Sequence, residues 1–423
     1  MSRTSRGSER VWRDALVAVV AGFVAMTAVA AAGLACAGAD GLPGGAFPHV
    51  VAAVVVMASG GSVSVTGGAG FLAGAHAGLS VMPLSVSLAG ALATAFCFVR
   101  PLRHHAVATP RELLARAGPL VVVWLVALTG FALLAGHTFG ISTGDSSSPV
   151  GEIGELLDSA PTVGFRADLP ATLGLGLLWI LGLLVIALLV SRRTPLPARL
   201  VRFHAAVRPA AFAVVALLLS YVVLAALAGV VVAATQGHAR QTLAVVLLGL
   251  PNLAWLALSL GLGGSWQGRV EGPFGLPMPQ VLDQVLRTPD LSTVDVRTLA
   301  GQDARAWWLV AVAAVLLLGA GFVTAVRSPA HVRPWQHALH LGVALALATL
   351  TVCLLGGVEA RFGLSLLGIG DVDGLGGTVE LLPRLLRTVA PALLWGAVTG
   401  FLGALLAAPV HRRGRVESPA PPR

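Results

Sequence analysis

The chain contains no lysine. All 28 of its basic residues are arginine, and this excludes the GxxxxGK[ST] phosphate-binding loop, whose lysine reaches the β- and γ-phosphates. The arginines are scattered and lack paired acidic or phosphate partners, so they report the coding bias of a high-GC genome, not guanidinium chemistry. Charge of either sign is scarce: 11% of the 423 residues are charged, 56% are hydrophobic, and the mean hydropathy is +0.85. A soluble domain carries roughly 25% charged residues. The composition is that of a membrane protein, and its length counts spans instead of globular domains. The three cysteines, Cys36, Cys97 and Cys353, each lie in an apolar run and read as small buried hydrophobes. No CxxC or Cys/His spacing suggests a metal, and no HExxH motif occurs. The sequence offers no catalytic, metal or cofactor-binding set, and the reading is that the chain is not an enzyme.

Against these absences stand long apolar runs. About 20 helical residues cross the hydrocarbon layer, and eight stretches meet that length: 13–37, 80–99, 118–138, 171–190, 210–234, 306–326, 338–357 and 389–409. The basic head before the first run precedes an apolar stretch longer than a cleavable signal uses, so it reads as an uncleaved first span. Arginine clusters at 3–13, 100–116, 192–208, 327–333 and 412–415 belong inside by the positive-inside rule. The segments 38–79, 139–170, 235–305 and 358–388 then lie outside. With this assignment the outer segments hold 9 arginines and 15 acids, and the inner ones 19 arginines and 4 acids. Both termini fall on the cytoplasmic side of a bacterial plasma membrane. The basic inner face attracts anionic lipid and carries no sign of nucleic-acid binding.

Two further stretches fit this scheme poorly. Residues 54–70 read VVVMASGGSVSVTGGAG, and residues 246–264 read VLLGLPNLAWLALSLGLGG. Counting both as spans would put the clusters at 100–116 and 192–208 on the wrong side. Each is therefore expected to dip into the bilayer and return, at about 48–75 and 242–263. A surface glycine loop for the first and a plain proline-kinked span for the second remain the alternatives. Irregular backbone at that depth survives only where it is buried in protein or lines a wet cavity. The candidate pathway or packing residues are Ser62, Ser64, Thr66 and His76 in the first dip, with Pro251, Asn252 and Ser265 in or beside the second.

The chain also repeats itself in outline. Residues 1–200 and 201–415 follow the same order of span, dip, span, arginine turn, span, acidic outer segment, span and arginine tail. Gly60-Gly61-Ser62 returns as Gly263-Gly264-Ser265, and the final spans carry PATLGLGLLW and PALLW. The second half adds an outer insertion at 264–305, and 416–423 reads as a disordered tail. The expected fold is an all-α polytopic membrane protein of about eight transmembrane helices and two re-entrant or broken segments, arranged as a parallel tandem repeat. Gly396, Gly400 and Ala404 form a small-residue stripe suited to helix packing.

The runs GGSVSVTGGAG, LSVMPLSVSLAGAL, VRPLR and LLGLPNLAWLALSLGLG together resemble the streptophobe family of strongly hydrophobic Streptomyces membrane proteins. The likeness covers nearly the whole chain and implies a multi-span actinobacterial membrane protein without implying an activity. Leu250-Pro251-Asn252 and the glycines after it are also similar to PerM-like proteins linked to cell division. Two functions stay open. One is a permease or pore with its pathway at the interface of the repeats, its solute unnamed. The other is a non-catalytic envelope scaffold assembling with a second copy or with another membrane protein. The eight spans lack a central charge, which disfavours ion-coupled transport.

Overall fold

A computed structural model describes residues 2–42, 45–69, 73–102, 110–140, 162–191, 198–235, 237, 239–270, 285–287, 292–329, 332–366 and 377–413. The tail at 416–423 and much of the outer insertion lie outside these. The chain folds as α1 (Ser2–Cys36), α2 (Phe47–Ala58), β1 (Val63–Ala69), β2 (Ala73–Val81), α3 (Leu84–Leu102), α4 (Pro110–Leu134), β3 (His137–Gly140), β4 (Thr162–Ala167) and α5 (Leu169–Val190). It continues with α6 (Ala198–Thr235), α7 (Ala239–Gly261), β5 (Trp266–Val270), β6 (Ser292–Val294), α8 (Val296–Gln302), α9 (Trp308–Arg327), α10 (Pro334–Gly356), β7 (Val358–Leu366), β8 (Gly377–Pro383) and α11 (Leu385–Arg413). The membrane part is all helical, as the apolar runs require. Among the described residues, nine helices are long and apolar enough to cross a bilayer: α1, α3 to α7 and α9 to α11.

The strands were not foreseen. They form one antiparallel sheet in the order β3-β4-β1-β2-β7-β8-β5-β6. The glycine-rich residues expected to hold irregular backbone are instead the β1–β2 hairpin, with Val63 opposite Leu79 and Ala69 opposite Ala73. A ladder satisfies every other N–H and C=O on each side of a strand, which meets the backbone's need as fully as a helix does.

The order β3-β4-β1-β2 of the first half recurs as β7-β8-β5-β6 in the second, and the register recurs with it. Val63 pairs with Leu79 and Ala167; Trp266, at the matching place in β5, pairs with Val294 and Pro383. His137 pairs with Phe165 and Thr138 with Gly164; Val358 pairs with Leu381 and Glu359 with Glu380. The two four-stranded groups join through β2 and β7, a nine-pair ladder from Ala73–Leu366 to Val81–Val358.

This single sheet fixes the count of crossings. Between β4 and β5 lie three helices of spanning length, α5, α6 and α7. Three crossings would put β5 on the opposite side of the bilayer from β4, yet both belong to one sheet, so one of the three does not cross. Its contacts identify α7. Arg240, at its start, donates to the carbonyl of Ala35 in the last turn of α1 (3.3 Å). Gly261, at its end, abuts the carbonyl of Leu309 at the start of α9. Both neighbours are helix ends on the sheet side. Half of its apolar window is buried within the protein, against 17–39% for the other eight. Both termini of α7, a continuous helix over most of residues 242–263, thus lie against sheet-side ends of other helices. α2 behaves alike: His49 near its start hydrogen-bonds Leu134 O at the sheet-side end of α4 (2.7 Å).

Two cores hold the bundle. In the first half Trp124 stacks on Trp179 with centroids 4.7 Å apart and meets Phe23 in a tilted contact at 4.5 Å. In the second, Leu217, Leu317, Leu341 and Leu345 are buried together. Exposed leucines and valines line the outer helix faces, such as Val223, Leu227 and Val230 on α6, as lipid contact requires. Trp307 and Trp308 are exposed at the sheet-side end of α9, Trp12 and Trp335 at the far side, where indole rings anchor at headgroups. The small-residue stripe is used inside the chain. Gly396 and Gly400 pack against the backbone of Gly342 and His337 on α10, and Gly403, one residue short of Ala404, against Gly321 on α9.

A side chain at Gly403 would collide with the backbone of Gly321, and overpacking of this kind costs about 1–3 kcal/mol or more. We expect Gly403→Val to lower the midpoint of SDS-induced unfolding in mixed micelles, and Gly130→Val, at an open position on α4, to leave it unchanged.

Candidate functional site

Of the seven candidate residues, Ser62 and Ser265 lie in two structurally matched corners, Pro251 and Asn252 at one joint between the halves, and Ser64, Thr66 and His76 on the sheet. Each corner is a Gly-Gly-Ser turn. α2 ends at Ala58 and the chain turns through Gly60 at φ 92°; α7 ends at Gly261 and the chain turns through Gly263 at φ 85°. Both values lie in the left-handed region that glycine adopts without strain. The next glycine closes the corner: Gly61 N–H donates to Val56 O and Gly264 N–H to Ser259 O. The serine carbonyl then accepts the backbone N–H of the residue that precedes a helix, Asp168 for Ser62 and Arg384 for Ser265. A threonine one turn into that helix packs on the second glycine, Thr172 on Gly61 and Thr388 on Gly264. In the second corner the Thr388 hydroxyl also bridges the N–H (3.3 Å) and C=O (3.1 Å) of Ser265. Ser62 and Ser265 thus serve through their backbone.

The other first-dip candidates stand on the sheet. Ser64 is exposed and its hydroxyl donates to Arg166 O on β4 (3.3 Å). Thr66 and His76 face one another in the register, flanked by Gly164 on one side and Gly363 on the other. Strand alternation keeps Thr66 and His76 in step with Ser64, Ser80, Glu359, Arg361 and Glu380, so the polar residues occupy one set of alternate positions. The other set holds Val63, Phe165, Trp266, Val379 and Leu381, which are buried against the helices.

Pro251 and Asn252 form the joint between the halves. Proline has no N–H, which frees the carbonyl one turn back and interrupts the helix ladder. Just before it, the hydroxyl of Ser85 on α3 enters the ladder of α7. It accepts from Leu250 N–H (3.1 Å) and donates to Val246 O (2.9 Å), two groups that an unbroken helix would bond to each other. Just after it, the Asn252 side chain reaches back to the β2–α3 junction. Its Oδ1 accepts from Leu84 N–H (3.1 Å) and its Nδ2 donates to Met82 O (2.9 Å). Leu84 is the first residue of α3, so its N–H has no partner within the helix. Sequence reading chose Pro251 and Asn252 but missed Ser85, Thr172 and Thr388, although Ser85 and Thr172 lie within runs it had marked, LSVMPLSVSLAGAL and PATLGLGLLW.

A small cleft lined by Asp14, Cys97, Phe98 and Arg116 lies at the other end of the bundle. Among the described residues there is no group of three or more His, Cys, Asp or Glu placed to hold a metal ion. No protein-family model matches the chain, and no curated protein or solved structure proved similar to it. The class of protein is thus set by the fold alone: a multi-pass helical membrane protein bearing a sheet on one side.

Removing the Asn252 amide strands two buried backbone groups, at a cost of about 1–3 kcal/mol. Asn252→Leu should lower the unfolding midpoint accordingly. Ser85→Ala should cost much less, because Leu250 N–H and Val246 O can then bond directly. The reverse ranking would mean that the serine, not the asparagine, holds the joint.

Proposed function

We propose that the chain is a non-catalytic, non-transporting membrane scaffold made of two equivalent units, each of four crossing helices, one helix that returns on its own side, and four strands. The matched strand order and register and the paired Gly-Gly-Ser corners support the two-unit reading. The observation that carries the scaffold reading is the fate of the polar groups at the joint. A permeation pathway needs side chains and backbone dipoles turned toward a solute. Here the Asn252 amide and the Ser85 hydroxyl are each engaged twice by protein backbone. Burial of α7 against both halves supports packing in the same way.

Every strand falls in a segment poor in arginine, so the positive-inside rule places the sheet outside and both termini in the cytoplasm. The resemblance to the streptophobe family suits an actinobacterial plasma membrane. In that setting the helices hold the protein in lipid while the polar register of the sheet, including Ser64, Ser80, Arg166 and Arg361, meets the extracytoplasmic space. Assembly with partner proteins is the role left to such a surface.

The test uses a chain whose three free cysteines are replaced by serine. Single cysteines at Asn252 and Ser265 should resist a membrane-impermeant maleimide on intact cells, while one at the exposed Ser80 reacts. Labelling at Asn252 and Ser265 as fast as at Ser80 would reveal a wet path and return the permease reading. Labelling of Ser80 only in inverted vesicles would reverse the orientation.

A further inference from the structure

The end of the bundle away from the sheet holds the cleft between α1, α3 and α4, which the scaffold reading leaves unused. Its lining is apolar at the base, where Ala15, Phe98 and Leu120 are buried, and Pro101 near the end of α3 forms part of the wall. With its open side included, the space is about 320 Å³. Two half-buried charges of opposite sign line it, Asp14 on α1 and Arg116 on α4. Both are described residues, and no salt bridge joins them to each other. The exposed indole of Trp12, two residues before Asp14, sets this level at the lipid headgroups. The apolar runs agree, since they begin just after Asp14 and Arg116 and end just before Arg100.

We propose that the cleft binds a phosphoethanolamine group, carried by a phospholipid of the leaflet opposite the sheet, with Arg116 on the phosphate and Asp14 on the ammonium. A guanidinium presents a planar fork of donors that matches phosphate oxygens. A carboxylate only accepts, and a primary ammonium offers it three N–H donors. Two methylenes link the charges of this head, so one ligand meets both side chains while its acyl chains stay in the bilayer.

The carboxylate makes the site selective. Arg10, Arg13 and Arg100, close by in the chain, are exposed and attract any anionic head. Inside the cleft, a head with net negative charge meets Asp14 as a like charge, and selectivity of this kind needs such a repulsive element. A choline head keeps the positive charge but has no N–H to donate. The preferred lipid is therefore the zwitterionic one with a free amine.

The cleft contains its own reporter, because Cys97 lines it. In the full chain carrying Cys36→Ser and Cys353→Ser, Cys97 is the only thiol. Dioleoyl phosphatidylethanolamine added to the detergent-purified protein should slow alkylation of Cys97 by a small maleimide about fivefold, the scale of one ion pair. Phosphatidylglycerol and phosphatidylcholine with the same acyl chains should leave the rate near its lipid-free value. Arg116→Gln should remove the protection, Asp14→Asn should let phosphatidylglycerol protect as well as phosphatidylethanolamine, and Arg10→Gln should change neither. Equal protection by all three lipids overturns the proposal, and so does selectivity that survives both cleft substitutions. Soluble glycerophosphoethanolamine distinguishes the source of the head: protection at the concentration at which the lipid acts would overturn the lipid assignment. Native mass spectrometry of the chain with all three cysteines and no substitution provides a second measurement, in which retention of phosphatidylglycerol as readily as phosphatidylethanolamine also overturns it. Neither readout depends on Asn252 or Ser265, so failure here leaves the scaffold reading standing.

Discussion

Nine backbone pairs between β2 and β7 do more to shape this molecule than any side-chain contact. They join strands from opposite halves into one sheet, and a sheet cannot occupy both faces of a bilayer. From that constraint follow the even number of crossings between successive hairpins, the position of α7 beneath the sheet, and the gathering of all strand-bearing segments on one side. The helices obey the sheet as much as the lipid. α7 has the length and hydrophobicity of a span, and only its partners, Ala35, Ser85 and Leu309, reveal that it does not cross.

The joint beneath the sheet shows how the bilayer changes the use of polar side chains. In water, a proline-interrupted ladder and a Pro83-broken helix start could leave their orphan groups to solvent. At this depth each must be met by protein. Ser85 and Asn252 do so reciprocally, each half supplying a side chain to backbone groups of the other beside that half's proline. Small residues then let the backbones approach, and the glycine-on-glycine contact of Gly321 with Gly403 replaces the bulky ridges by which soluble helices pack.

Much of the helical architecture was legible in the sequence. Hydrophobic length marked the candidate spans, and the arginine distribution set residues 242–263 apart from them. Both signals are physical properties of single segments: span length and charge near a headgroup. The sheet was not legible. Its strands are short and unusually rich in glycine and alanine, as in AGAHAGLSV, and such residues lack the β-branched alternation that announces a strand. Val63 and Leu79 pair because distant segments bring them together, and no local pattern records that. The Gly-Gly-Ser repeat did point to a matched feature in each half. Its meaning, a left-handed glycine turning a helix end into a strand, emerged only from φ values and hydrogen bonds. Among the candidate residues, Pro251 and Asn252 stood out because proline inside an apolar run demands compensation. Ser85 supplies part of that compensation from far along the chain, where nothing distinguishes it from other serines.

The distance in sequence between Val81 and Val358 has a consequence for how the protein is made. Strand β2 emerges early, but its partner β7 is translated only after α3 to α10. At synthesis rates of ~5–20 residues/s, that interval is roughly a quarter of a minute to a minute. Throughout it the newborn first half holds β2 without the nine-residue partner it has in the finished chain. The ladder that joins the two halves therefore forms only when the second half is nearly complete.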